Sequence, residues 1–262
     1  MNKLITLITV NYNNNCGLVE TIMSVLAQNY TDYEYVIIDG GSIDDSVSTI
    51  TKNVDKFKDI KYISEKDKGI YNAMNKGVNI ATGKYCLFLN SGDSLFDEYS
   101  LTNSIPYLKK GVDIISGIAI GKEYKMIPPD SKNLSTAFFL KNSLNHQSTF
   151  IKRDLLLKYS YNENLLIAGD VDFFYKVLII HDATYENIPV NVCICENPGA
   201  SGNLESSLQE RYQCIKKMLP TRMSYDIDFI VKFHNPVIMK INDMIYTHWL
   251  RSIYFYIKKW IK

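Results

Sequence analysis

Lys84–Asp93, KYCLFLNSGD, joins a short apolar run to four small polar residues ending in a single carboxylate. The run from Lys84 to Leu89 reads as a buried strand. Asn, Ser, Gly and Asp are the residues of an ordinary turn, so the stretch alone suits either a turn or the tip of a functional strand. What precedes it tips the balance. Residues 4–10, LITLITV, and Tyr35–Ile38, YVII, are compact β-branched runs that predict two more buried strands. Leu18, Ile22, Val25 and Leu26 recur at helical spacing between them. A polar helical segment over 45–57 and a short strand near 60–63 follow. Ile70, Ala73, Met74, Gly77, Val78 and Ala81 then mark one face of a helix. Strands alternating with helices across short connections predict an α/β fold with parallel strands, right-handed crossovers and a doubly wound sheet.

In such sheets ligands bind beyond the carboxyl ends of the strands. The polar clusters of this sequence fall there: Thr9-Val10-Asn11-Tyr12, Asp39-Gly40-Gly41-Ser42, Glu65-Lys66-Asp67-Lys68 and Asn90-Ser91-Gly92-Asp93. Four such clusters on one rim predict a site. Tyr12 offers an aromatic face and Asn11 an amide for a flat base. Asp39 offers an acceptor for a base N–H, and Gly40-Gly41 a close backbone approach. Lys66 and Lys68 suit phosphate. Neither a Gly-x-Gly-x-x-Gly nor a P-loop follows the first strand, which argues against a dinucleotide or P-loop nucleotide site. A carboxylate at Asp93 beside a diphosphate needs a bridging hard cation, Mg²⁺ or Mn²⁺.

Beyond residue 98 the pattern is less regular. Strands are expected at 112–120, 123–127 and 187–195, with a helix starting near Gly169-Asp170 and a helical appendage over 204–262. The expected division is therefore 1–203 and 204–262. Over residues 232–262, six basic residues and one acid are interleaved with Ile, Met, Tyr, Phe and Trp. That composition suits the headgroup zone of an anionic membrane or a helix packed on its own domain.

The 262-residue chain has a formal net charge of +1, which gives no global argument for nucleic acid. Its five cysteines lack framework spacing, and Cys193 and Cys195 read as buried small hydrophobes on one face of a strand. The opening apolar stretch is too short for a signal peptide, and no apolar run is long enough to span a bilayer, so a cytoplasmic protein is expected.

ITVNYNNN (8–15), SVLAQNYTDYEYVIIDGGSIDDS (24–46), SEKDKGIYNAMNKGVNIATGKYCLFLNSGD (64–93), HQSTFIKRDLL (146–156) and AGDVDFF (168–174) occur in this order. Together they resemble a family 2, GT-A fold glycosyltransferase of the bacterial branch that builds O-antigen, capsule or colanic-acid-type polysaccharide. The resemblance covers about 3–200. It implies an inverting transfer of sugar from a nucleotide-diphosphate sugar to an acceptor hydroxyl, the acceptor being a glycan or lipid-linked glycan at the cytoplasmic face of the inner membrane. It places a divalent cation at Asp93, where relatives carry more acids than Asn90 and Gly92 supply. Thr9, Asn11, Tyr12, Asp39, Gly40, Asp67, Lys68, Asn75, Asn90 and Ser91 form the implied donor set. His146, Gln147 and Asp172 fall on the acceptor or sugar side. Asp170 stands where the general base is expected, although an acid at that place is also a good helix N-cap. A binding relative without catalysis and a sugar-phosphate nucleotidyltransferase are the other readings. The latter wants a Gly-rich, Arg-containing loop that NYNNNCG does not supply.

Overall fold

The computed structural model describes residues 3–121, 124–195 and 204–233. The basic, aromatic stretch from 234 to 262 and the loop 196–203 lie outside the described residues. The elements run β1 (Ile5–Asn11), α1 (Asn15–Leu26), β2 (Glu34–Asp39), α2 (Ser46–Asn53), β3 (Ile60–Ser64), α3 (Ile70–Ile80), β4 (Tyr85–Asn90) and β5 (Ser94–Leu95). They continue with α4 (Ser100–Leu108), β6 (Ile114–Ile120), β7 (Lys125–Met126), α5 (Thr136–Lys141), β8 (Thr149–Lys152), α6 (Arg153–Tyr159), α7 (Gly169–Tyr175), β9 (Tyr185–Ile194), α8 (Leu204–Met218) and α9 (Thr221–Phe233).

One mixed sheet has the order β3-β2-β1-β4-β8-β6-β9-β5, with β7 beside β6. Its first four strands are parallel, as the alternation of strand and helix predicts. The pattern changes after β4. β8 pairs antiparallel with both β4 and β6, β6 and β9 run parallel, and β5 pairs antiparallel with β9. The irregular second half of the sequence is thus the half of the sheet that departs from simple winding.

β1 and β2 are buried along their whole length, which accounts for their unbroken apolar sequences. On one face Leu7, Ile37 and Leu87 pack with Leu18, Ile22 and Val25 of α1. On the other, α3 comes so close that a Cβ at Gly77 would lie 2.5 Å from Ile8 Cγ2. Cys193 and Cys195 share a face of the sheet region around β9, their sulfurs 3.7 Å apart.

At the amino end of the sheet Glu34 is fully buried. Its carboxylate accepts from Thr6 Oγ1 at 2.5 Å, Lys61 Nζ at 2.6 Å and Thr82 N at 2.6 Å, tying together β1, β2, β3 and the turn before β4.

Two compact units meet within α8, Met1–Ile215 and Lys216–Lys262. The start of α8 lies in the first unit, where Glu210 holds the backbone of 166–168. In the second unit, Lys216 Nζ donates to Asp228 at 2.7 Å. Among the described residues no helix is long and apolar enough to cross a membrane.

Candidate functional site

The carboxyl ends of the parallel strands bring the polar clusters into one network. Asn11 at the end of β1 is opposite Asp39 at the end of β2, which is opposite Ser64 at the end of β3. Asn11 donates to Asp39 Oδ1 at 2.8 Å, and its own Oδ1 accepts from Ser91 Oγ at 2.7 Å. Asp39 also accepts from Ser42 N at 2.9 Å, Ser42 Oγ at 2.5 Å and Ser64 Oγ at 2.7 Å. Burial pushes its carboxyl pKa up, but the hydrogen bonds from Ser42, Ser64 and Asn11 win and hold it below the usual value.

Four hydrogen bonds fill the lone-pair sites of Asp39, so the base contact expected of it has no free acceptor. Asp39 organises the rim. Asp67 stands across Gly40 from Tyr12. A Cβ on Gly40 would lie 2.6 Å from Asp67 Oδ2 and 3.2 Å from Tyr12 Cδ2, so Gly40 is the floor of a slot between a carboxylate and a ring. The Tyr12 side of that slot is open, the residue being 66% exposed.

Other expected donor contacts take different work. Thr9 is buried, its hydroxyl 3.0 Å from Tyr35 OH, inside the sheet and below the rim. Asn75 spends its amide on Tyr161 O, Tyr161 N and Glu163, fastening the 161–163 segment to α3. Lys68 is exposed beside the slot.

The loop closing β4 is pinned from behind. Thr21 Oγ1 of α1 lies 2.6 Å from Asp93 O and accepts from Gly92 N at 3.0 Å, while Asn14 Nδ2 donates to Ser91 O. Asp93 Oδ2 accepts from Asn90 N at 3.1 Å. Asp93 is 6% exposed.

From this loop a two-bond path leads across the site. Asn90 Nδ2 donates to His146 Nε2 at 3.2 Å, and His146 Nδ1 donates to Asp170 Oδ2 at 2.8 Å. An amide nitrogen can only donate, so Nε2 is the acceptor and Nδ1 carries the proton in the neutral ring. Burial pulls the His146 pKa down, but the charge and hydrogen bond of Asp170, with Asp93 and Cys195 adding, raise it above the usual imidazole value.

Asp170 is no helix cap: α7 starts at Gly169, its N-cap residue is Ala168, and no side chain caps it. Asp170 lines a cavity of about 270 Å³ with His146, Gln147, Tyr124, Ser207 and Arg211. Its Oδ1 is buried without a hydrogen bond. Two residues outside the candidate set fix its backbone. Glu210 accepts from the N–H groups of Leu166, Ile167 and Ala168 at 2.7–2.8 Å. Tyr71 OH donates to Ile167 O and accepts from Gly169 N. Asp172 pairs with Lys176 at 3.0 Å, one helical turn on, and does not line this cavity.

Among the described residues no three or more His, Cys, Asp or Glu side chains gather into a metal cluster. The donors that are present still fit a hard cation. The carboxylate of Asp93 stands in the same short loop as Asn90 Oδ1, a buried oxygen without a hydrogen bond. Such a cation takes its remaining ligands from substrate phosphate and water.

The glycosyl transferase family 2 model matches residues 6–158, which carry the rim, the Asn90–Asp93 loop and His146. The chain belongs to glycosyl transferase family 2. A PGL/p-HBAD biosynthesis glycosyltransferase of Mycobacterium bovis is 29% identical over 154 residues, 57% of this chain and 60% of the relative. The chain thus spans about three-fifths of that relative's length. An uncharacterized glycosyltransferase of Mycobacterium tuberculosis is 28% identical over 199 residues, 73% of this chain and 74% of that one.

S. aureus TarS superposes with a TM-score of 0.67 at 16% identity, over 88% of this chain and 44% of TarS. TarS 1–349 in complex with UDP-GlcNAc gives 0.66 at 18%, over 85% and 70%. A Pyrobaculum calidifontis mannosyltransferase in complex with GDP-Man and Mn²⁺ gives 0.60 at 17%, over 82% and 63%. These family 2 and TarS likenesses bear out the GT-A fold.

Arg211, Glu210 and Tyr71 were not singled out from the sequence. Glu210-Arg211 sits in a stretch that reads as an ordinary charged helix, and only its approach to the 166–170 segment gives it a role.

Proposed function

We propose that this family 2 chain is an inverting glycosyltransferase that moves a sugar from a nucleotide-diphosphate donor to an acceptor hydroxyl. The observation that carries this reading is the path Asn90–His146–Asp170, which joins the candidate cation loop to an acid with a free oxygen on a cavity. The nucleotide lies in the slot of Tyr12, Gly40 and Asp67, with Lys66 and Lys68 toward its phosphates. Asp93 and Asn90 hold a divalent cation, which when bound offsets charge on the departing diphosphate.

Asp170 Oδ1 takes the proton of the acceptor hydroxyl as that oxygen bonds to the anomeric carbon and the bond to the diphosphate oxygen breaks. The electron pair leaves with the diphosphate and the proton stays on Asp170. Attack from the face opposite the leaving group inverts the anomeric centre. His146 Nδ1–H holds Oδ2 and leaves Oδ1 without a hydrogen bond; it is a positioning residue. A base so placed contributes about 10²–10⁴ in rate.

The donors in complex with TarS and the mannosyltransferase are UDP-GlcNAc and GDP-Man, which supports a nucleotide-sugar donor here. The basic, aromatic sequence of 232–262 supports a lipid-linked acceptor of cell-surface polysaccharide synthesis at the cytoplasmic face of a membrane.

The test is donor turnover with UDP-, GDP- and dTDP-sugars in the presence of Mn²⁺. Asp170→Asn is expected to lower turnover by about 10²-fold or more while leaving thermal stabilisation by the nucleotide intact. Undiminished turnover in that variant would refute the base.

A further inference from the structure

Among the described residues Arg211 of α8 has no partner for its charge. Its Nε and Nη1 are closed off from solvent and make no hydrogen bond within the described residues. Burial lowers its pKa, yet a guanidinium stays protonated, so the charge must be met by an anion. Among the described residues neither Glu210 nor Asp170 forms an ion pair with it. Glu210 accepts three backbone N–H groups, and Asp170 Oδ2 accepts from His146.

Arg211 lines two cavities. One is the cavity of Asp170 and His146. The other, about 500 Å³, is lined by Lys125, Lys141 and Arg211 among apolar, amide and hydroxyl side chains, with no carboxylate among the described residues of its wall. Met126, Leu144 and Asn145 belong to both walls, so the two spaces adjoin at Arg211. Neither lysine forms an ion pair within the described residues, and both are exposed. No residue of the nucleotide slot lines either cavity. The unmatched positive charge therefore lies on the acceptor side of Asp170, away from the place of the donor diphosphate.

We propose that Arg211, with Lys125 and Lys141, is an anion subsite for the acceptor: the molecule that offers its hydroxyl to Asp170 carries a phosphate or carboxylate oxyanion next to the reacting sugar. This rests on the reading of Asp170 as the base. A planar guanidinium takes an oxyanion through two parallel N–H bonds, and the lysines supply long-range attraction at the mouth. The subsite would discriminate against neutral acceptors, since without the oxyanion the buried guanidinium stays unpaired.

The chain has four arginines, Arg153, Arg211, Arg222 and Arg251, so ¹⁵N-arginine labelling of the full chain gives few Nε–Hε signals, and Arg211→Lys assigns the relevant one. Glucose 6-phosphate, glucuronate and methyl glucoside are titrated separately. The Arg211 signal is expected to move to saturation with one or both anions and to stay still with methyl glucoside. The arm that saturates at lower concentration distinguishes phosphate from carboxylate. Lys125→Ala with Lys141→Ala is expected to weaken that binding about tenfold or more. An Arg211 signal that stays still, or moves only in parallel with Arg153, would overturn the subsite. If Asp170→Asn keeps donor turnover while Arg211 still titrates, the base assignment fails and the subsite stands. If turnover is lost and Arg211 is silent, the subsite alone fails.

Discussion

At the scale of the residue, His146 and Gly40 carry the sharpest consequences. Burial opposes the His146 charge and Asp170 favours it, with a net rise above the ordinary 6.5. The sign follows from linkage: the pair stabilises the fold fully below the unfolded value and loses that contribution as pH climbs through the raised folded value. Activity runs the other way. An imidazolium on Oδ2 draws charge from Asp170, and its Nε2–H confronts the Asn90 amide unless that amide turns over. Turnover is expected to rise with pH through an ionisation above 6.5. His146→Gln should abolish that acid limb and lower the rate about tenfold, which a pH profile of donor turnover in both proteins measures. An unchanged limb would remove His146 from the positioning role. Gly40→Ala tests the slot. Its Cβ would push on Asp67 and Tyr12, side chains with room to move, so nucleotide affinity should fall about tenfold while the melting temperature barely changes. Calorimetric titration with the nucleotide decides it. The polar rim and Asp170 were legible as residue types at strand and helix ends. What Asp39 and Thr9 do was not, because the saturation of Asp39 depends on Ser42 and Ser64, which other loops and strands deliver.

At the scale of the element, periodicity found β1, β2 and β4 because they are buried on both faces, β3 as a short apolar run at the half-exposed edge, and α1 and α3 because each buries one face. It could not pair β7 with β6 or β5 with β9, since β5 and β7 have two residues each and give no period. Glu34 shows what periodicity also passes over, a buried acid in an apolar strand that clamps three neighbours. Burial raises its pKa, but the bonds from Lys61, Thr6 and Thr82 outweigh this and hold it below the ordinary 4.5. Lys61 is 41% exposed and can return to water, so the loss on Glu34→Ala comes mainly from the buried Thr6 hydroxyl and the Thr82 N–H. That loss is about 2 kcal/mol, or roughly 5 °C in melting temperature. A lowered carboxyl contributes stability above its unfolded value and loses it as pH falls through the folded one. Wild-type stability should therefore drop below about pH 4.5 more steeply than that of Glu34→Gln, as denaturant midpoints against pH would show. Parallel curves would deny the clamp its part in acid stability.

At the scale of the whole molecule, the site exists because the two halves of one sheet meet at β4. The parallel half supplies the slot of Tyr12, Gly40 and Asp67 and the Asn90–Asp93 loop, and the mixed half brings His146 ahead of β8 and Asp170 at the start of α7. Cation and nucleotide are accordingly expected to depend on each other. On the proposed reading, Asp93 and Asn90 would supply too few oxygens to strip a hydrated divalent ion alone, and a cation would offset the repulsion between Asp93 and the diphosphate. Each should bind weakly alone and tightly together, and linkage requires the enhancement to be the same whichever is added first. In thermal shift titrations, Mn²⁺ alone or UDP alone should raise the melting temperature little, and the pair by more than the sum. Asp93→Asn should remove the excess and leave the small effect of UDP alone, because Tyr12 and Asp67 are untouched. Asp67→Asn should do the reverse, weakening the nucleotide while the enhancement by Mn²⁺ persists. If the two ligands act additively in the wild type, the cation has no seat between Asp93 and the diphosphate, and charge on the departing group would have to be met by Lys66 and Lys68 instead.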